Sequence, residues 1–274
     1  MGLLQYCSYI SSLVVFCSLL LNPSCSLNPK SVSVSKPFQN EDEWKSATAT
    51  WYGDPNGGGS DGGACGYGYA VEYHPLDKMV TAVSPSLFEK GIGCGACYKM
   101  KCTESTACSG NPVTVVTTDS GPAGSSGQDH FDLSGTAFGA MAKSDQADNL
   151  RNVGRLQVQY TRVACNFDVT IAFKVDVGSN PYYFAMAIEY ENGDSDLTAV
   201  QLKQALPSDP WLSMQQDWGA VWKRNSDSPF RAPLSIMLTE GSDRNGKTVV
   251  TENVIPADWK PGNTYRSAVN FKTL

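Results

Sequence analysis

The chain is short of charge. Asp, Glu, Lys and Arg make up 18% of it, against the ~25% usual in soluble domains. The net charge is −6, which argues against electrostatic capture of nucleic acid or anionic lipid and leaves neutral partners open. It has only two histidines. It has no N-x-Ser/Thr sequon, so N-glycosylation is not expected. Past residue 21 no run is long and apolar enough to cross a bilayer, which takes roughly 20 residues. No period of 20–50 residues recurs, which excludes a solenoid. Past Cys165 there is no cysteine at all.

Apolar residues are 41% of the 274, enough for a real core. Ile10–Leu21 is a mostly apolar run, followed by the small residues Ser24 and Ser26. This predicts a signal peptide over 1–26 and a secreted, extracellular chain, although the leader lacks the usual early Lys or Arg. Removing it takes Cys7, Cys17 and Cys25 from the nine cysteines. The six left are Cys65, Cys94, Cys97, Cys102, Cys108 and Cys165, an even number that suits three disulfides in a secreted chain. Zinc is the competing reading of Cys94-x-x-Cys97. It is weaker, because Cys102 and Cys108 form no second C-x-x-C pair. No metal and no cofactor are expected. The confinement of all six to residues 65–165 predicts two domains, only the first of them stapled.

Residues 27–46 are rich in Ser, Pro and Lys and read as a flexible lead-in. From 47 to about 167, short strand-like runs (ATATWY, VTVVTTD, GRLQVQYTRVAC) alternate with turn residues, and one helix is expected over Gly135–Lys143, capped by Ser134 or Asp132. That pattern suits a small β-barrel. From 168 to 274 some seven runs, among them YYFAMAIEYE, WGAVWKR and LSIMLTE, suggest an immunoglobulin-like sandwich. The fold class is therefore all-β, in two domains.

The stretch TWYGDPNGGGSDGGACGYG, residues 50–68, carries eight glycines in nineteen positions. So many glycines exclude a stable helix or long strand. Thr50 and Tyr52 share one strand face, with Trp51 on the other or at the rim. Flat aromatics beside hydroxyls and the carboxylates Asp54 and Asp61 suit a sugar groove. In HFDLSG, His130 and Asp132 share a face, and Asp132 is either a proton donor or a helix cap. Asp119, at the end of VTVVTTD, is a site candidate or a turn-maker. Trp218 and Trp222, four apart in WGAVW, would lie on one face of one strand, as sandwich core or as a surface platform.

Together TWYGDPNGGGSDGGACGYG, KGIGCGACYKMKC, CSGNPVTVVTTD, HFDLSGTAFGAMA, NPYYFAMAIEY and WGAVWKR resemble the plant expansins, the β-expansin branch in particular. The resemblance covers about Thr48 to the C-terminus. It implies a six-stranded double-psi β-barrel joined to an immunoglobulin-like carbohydrate-binding sandwich, and wall loosening without hydrolysis on cell-wall polysaccharides such as matrix xylan and cellulose. It implies a groove of Thr50, Trp51, Tyr52, Asp61, Asp119, His130 and Asp132, and a second-domain platform of Tyr183, Trp218 and Trp222. The family's pairing pattern implies Cys65–Cys94, Cys97–Cys165 and Cys102–Cys108. The first domain is also similar to family-45 glycoside hydrolases. That likeness carries the alternative, an inverting endoglycanase with Asp132 as acid and Asp54 as base, the two needing to stand ~6.5–9.5 Å apart. A Pro-Asn-Gly turn follows Asp54, so it also reads as a turn-maker, and that reading is preferred.

Overall fold

The computed structural model describes residues 43–241 and 246–272. The predicted signal peptide, its three cysteines and the lead-in up to residue 42 lie outside the described residues. Six strands close a barrel: β1 (Lys45–Tyr52), β2 (Val80–Val83), β3 (Cys97–Cys102), β4 (Val113–Ser120), β5 (His130–Ser134) and β6 (Leu156–Val163). Their order around the barrel is β1-β5-β2-β4-β3-β6, with β1–β5 and β2–β4 parallel. Residues 45 and 46, expected in the lead-in, already belong to β1. Alternation fixes which side chains point inward. Ala47 and Ala49 of β1, Phe131 and Leu133 of β5, and Leu156, Val158 and Tyr160 of β6 share one buried cluster. Tyr98, Phe131 and Tyr160 meet edge to face or tilted, with centroids 4.8–5.9 Å apart.

Three short helices accompany the barrel: α1 (Pro85–Phe88), α2 (Gly135–Ala140) and α3 (Ala147–Val153). Ser134 caps α2, its Oγ accepting the N–H of Ala137 at 3.0 Å. That leaves the Asp132 carboxylate free of the helix. α2 stops before Lys143 because the backbone beyond it pairs elsewhere: Met141 O accepts from Ser109 N, and Lys143 N donates to Ala107 O. This partner loop is pinned by Cys102–Cys108. α3 buries only Leu150, so it shows no apolar period. The other disulfides are Cys65–Cys94 and Cys97–Cys165, the pairing that the resemblance implies.

Nine strands form the second domain: β7 (Ala172–Val175), β8 (Tyr183–Glu189), β9 (Leu197–Lys203), β10 (Leu212–Ser213), β11 (Gln215–Trp218), β12 (Val221–Asn225), β13 (Leu234–Glu240), β14 (Lys247–Ile255) and β15 (Thr264–Arg266). They make a four-stranded sheet, β10-β9-β13-β14, and a five-stranded one, β11-β12-β8-β7-β15. Phe173, Phe184, Met186, Ile188, Ile236 and Leu238 fill the space between, and all are fully buried. Each such side chain contributes roughly 1.5–3 kcal/mol. WGAVW is not one strand. Gly219 takes φ +49°, in the left-handed region, and the chain reverses so that Trp218 pairs with Val221.

Candidate carbohydrate-binding site

A row of side chains crosses the barrel. Thr50 on β1 stands opposite Asp132 on β5, Asp132 opposite Ala82 on β2, and Ala82 opposite Asp119 on β4. Asp119 joins this row through a β-bulge. Thr81 pairs with Thr117 but Ala82 with Asp119, which leaves Thr118 as an extra residue and turns Asp119 to the other face. Two strand spacings put the Asp132 and Asp119 backbones roughly 10 Å apart, with only the small Ala82 between.

The row is wired by hydrogen bonds. Thr50 Oγ1 donates to Asp132 Oδ1 at 2.5 Å. Thr50 Oγ1 also lies 3.0 Å from His130 Nε2. Burial holds the His130 pKa below the usual value for a histidine, against the upward pull of Asp132, so the imidazole is neutral near pH 7. Asp119 Oδ1 accepts from Ala64 N and from Ser120 N, both at 2.7 Å, and so ties the glycine-rich segment to the barrel. Tyr52 faces both acids. Burial first, then Asp119 and Asp132, push its hydroxyl pKa up to about 12. Its ring lies on Gly59, where a Cβ would stand 2.5 Å from Cζ.

Other expected members lie elsewhere. Asp54 is committed to a turn: Oδ1 accepts from Asn56 N at 2.8 Å, and its carbonyl from Gly57 N at 3.0 Å. Trp51 points to the opposite face of β1 from Thr50 and Tyr52. It packs on the barrel core, and its Nε1 donates to Arg151 O at 3.0 Å. Asp61 is exposed and hydrogen-bonded to Tyr69, outside the Thr50–Asp132–Asp119 row.

The outer face of the five-stranded sheet carries Trp218, Val221, Lys223 and Tyr183, set side by side by register. Trp218 is 47% exposed. Asp217 and Lys223 pair beside it at 2.5 Å. Trp222 corrects the expectation of a shared platform. It is 8% exposed, pairs with Met186 and belongs to the sandwich core, because the hairpin places it on the inner face.

The two domains meet at the glycine-rich segment. Ala220 N donates to Cys65 O at 3.1 Å. A Cβ on Gly219 would stand 2.2 Å from Ala64 O, and one on Gly91 would stand 2.8 Å from Gly219 Cα. Arg162 reaches from β6 to Asp196 at 2.5 Å and to Asp194 O at 2.7 Å. The segment 50–68 is thus a fixed wall shared by the barrel row and the sheet face.

Comparison with known proteins decides the family. Expansin-B2 of Arabidopsis thaliana is 54% identical over 268 residues, 97% of each chain. The chain belongs to the plant β-expansins. Expansin-B11 of Oryza sativa subsp. japonica is 55% identical over 83% of this chain and 78% of its own. Residues 171–256 match the family described as Expansin C-terminal domain, and residues 80–160 the one described as Lytic transglycolase. Among solved structures, an expansin mutant from Clavibacter michiganensis in complex with cellohexaose matches with a TM-score of 0.63. The match is 22% identical and covers 85% of this β-expansin and all of that chain, a likeness of fold.

No sequence signal announces the bulge that aligns Asp119 or the reversal at Gly219. Both depend on pairing partners distant in the chain.

Proposed function

We propose that this β-expansin is a secreted, non-lytic wall-loosening protein that binds cell-wall polysaccharides, matrix xylan or cellulose, and disrupts their contacts with neighbouring glycans. The observation that carries the reading is the Thr50–Asp132 pair beside an Asp54 spent on a turn. Inverting hydrolysis needs an acid and a free base. Asp54, the candidate base, is anchored by Oδ1 to its own turn, and Asp119 by Oδ1 to two N–H groups, so amidation of Asp54 separates the two readings. The relatives' expansin names and the cellohexaose complex of the bacterial expansin support a glycan as the ligand.

In this reading Asp132 accepts a hydrogen bond from a sugar hydroxyl, and Trp218 stacks on a pyranose face. Each hydrogen bond contributes about 0.5–1.5 kcal/mol net. A few of them compete with glycan–glycan bonds of like strength, so a loaded chain slips without any covalent bond breaking. The test is creep of heat-inactivated walls under constant load, with soluble reducing ends counted in the same bath. Extension without new reducing ends is the expected result, and Asp132→Asn removes it while the protein stays folded. Reducing ends that rise with extension and vanish in Asp54→Asn would establish an endoglycanase instead.

A further inference from the structure

A second polar concavity lies beside the platform, where the barrel's Tyr67–Ala70 segment faces strands β7 and β15. Its volume is about 370 Å³, within the roughly 300–1,000 Å³ of small-molecule sites. Its walls include Tyr67, Tyr69, Lys174, Glu189, Tyr190 and Arg266. We propose that this cavity is a subsite for an acidic sugar, a uronate unit carried by a wall polysaccharide. The proposal deepens the wall-glycan reading above and rests on it.

Two cations sit on one face. Lys174 pairs with Thr264, and Arg266 with Ala172, so Lys174 and Arg266 are diagonal neighbours on adjacent strands, roughly 7–8 Å apart at the backbone. Neither has an ion pair among the described residues. Lys174 Nζ makes one long bond, to Tyr67 O at 3.5 Å. Arg266 makes one to Thr170 O at 3.3 Å, with its guanidinium 5.5 Å from the Tyr190 ring centroid. Both keep donors for a carboxylate. Gly68, at φ +60°, leaves the room Lys174 needs, since a Cβ there would stand 3.1 Å from Nζ.

The remaining wall selects a sugar over a simple anion. Tyr69 is 70% exposed and offers a ring to an apolar sugar face. Glu189 is 4% exposed. The Glu189 carboxyl is hydrogen-bonded to the Tyr190 side chain in the same wall. Phosphate or sulfate would leave the tyrosine rings unused. Burial pushes the Glu189 carboxyl up to about 7, against Lys174 and Arg266, so in mildly acidic medium it is protonated and the cavity stays cationic. In a chain of net charge −6, a local cationic hollow lined with tyrosines fits an anionic glycan unit.

The test is calorimetric titration of the secreted protein with a xylo-oligosaccharide bearing one glucuronate, and with the same compound after its carboxyl is reduced to an alcohol. The uronate form is expected to bind about ten-fold more tightly, since its carboxylate meets two cations at once. Lys174→Gln with Arg266→Gln abolishes that preference, whereas Arg266→Lys keeps part of it. Trp218→Ala weakens both forms alike. Equal affinity for the two forms in the wild type, or a preference that survives the double substitution, overturns the subsite alone. Binding of neither form overturns the subsite and removes xylan from the wall-glycan reading.

Discussion

The indole of Trp218 rests on the backbone of Gly66. A Cβ on Gly66 would stand 2.8 Å from Cη2 and 3.0 Å from Cζ3. The second domain's exposed ring is thereby propped by the first domain's glycine-rich wall. Gly66 also has φ +85°, where an L side chain is strained. Gly66→Ala is expected to cost about 1–3 kcal/mol and to tilt the ring off its support. A polysaccharide pull-down should show binding reduced toward that of Trp218→Ala, with a lowered Tm measured alongside.

The two tryptophans of the β11–β12 hairpin should separate cleanly. Trp222→Ala opens a hole in the sandwich core and should cost about 3–5 kcal/mol. Trp218→Ala removes a half-exposed ring and should change stability by less than about 1 kcal/mol, yet lower glycan binding several-fold. Denaturant unfolding and a binding isotherm on both variants check the contrast. Equal stability losses would contradict the opposite-face register.

Asp54 should tolerate amidation. Asn accepts the same N–H from Asn56 that Asp54 takes at 2.8 Å and makes the same turn. Asp54→Asn should keep wall creep near wild type. Asp54→Ala should lower stability by about 1 kcal/mol, the net worth of one such bond. Creep rates and thermal melts of the two variants together separate turn from base.

A buried acid cluster gives stability a pH slope. Burial raises Glu189 and Glu191 to about 7 and Glu240 to about 8, with Glu191 and Asp194 adding to the shift at Glu240 and Lys247 opposing it. Their folded pKa values exceed the unfolded carboxylate value. The native state therefore binds more protons in between, and stability falls as pH rises. The contribution is complete below about 4.5 and is lost as pH climbs through about 7 to about 8. Tm should be higher at pH 5 than at pH 8. Glu240→Gln, which cannot ionise, should flatten the slope.

Local chemistry made part of this legible. Alternation in GRLQVQYTRVAC placed Leu156, Val158 and Tyr160 on one face, and all three are core. Glycine density excluded a stable helix or long strand over residues 50–68, and β1 ends at Tyr52. Period alone misread WGAVW, because a two-residue reversal at Gly219 leaves the spacing of aromatics intact while flipping their faces. It also missed α3, whose single buried residue makes no stripe. The cationic cavity was beyond reach for another reason. Tyr69, Lys174, Glu189 and Arg266 are strung across nearly two hundred positions, and only packing of the barrel against the sheet gathers them.

The seam where Gly91, Gly219 and Cys65 touch has a mechanical corollary. Main chain lies against main chain there, with no side chain between, so there is no compressible padding. The smallest alteration chemistry allows, one added methyl, already acts as a wedge. A methyl at Gly91 or Gly219 would therefore have to push the barrel and the five-stranded sheet apart.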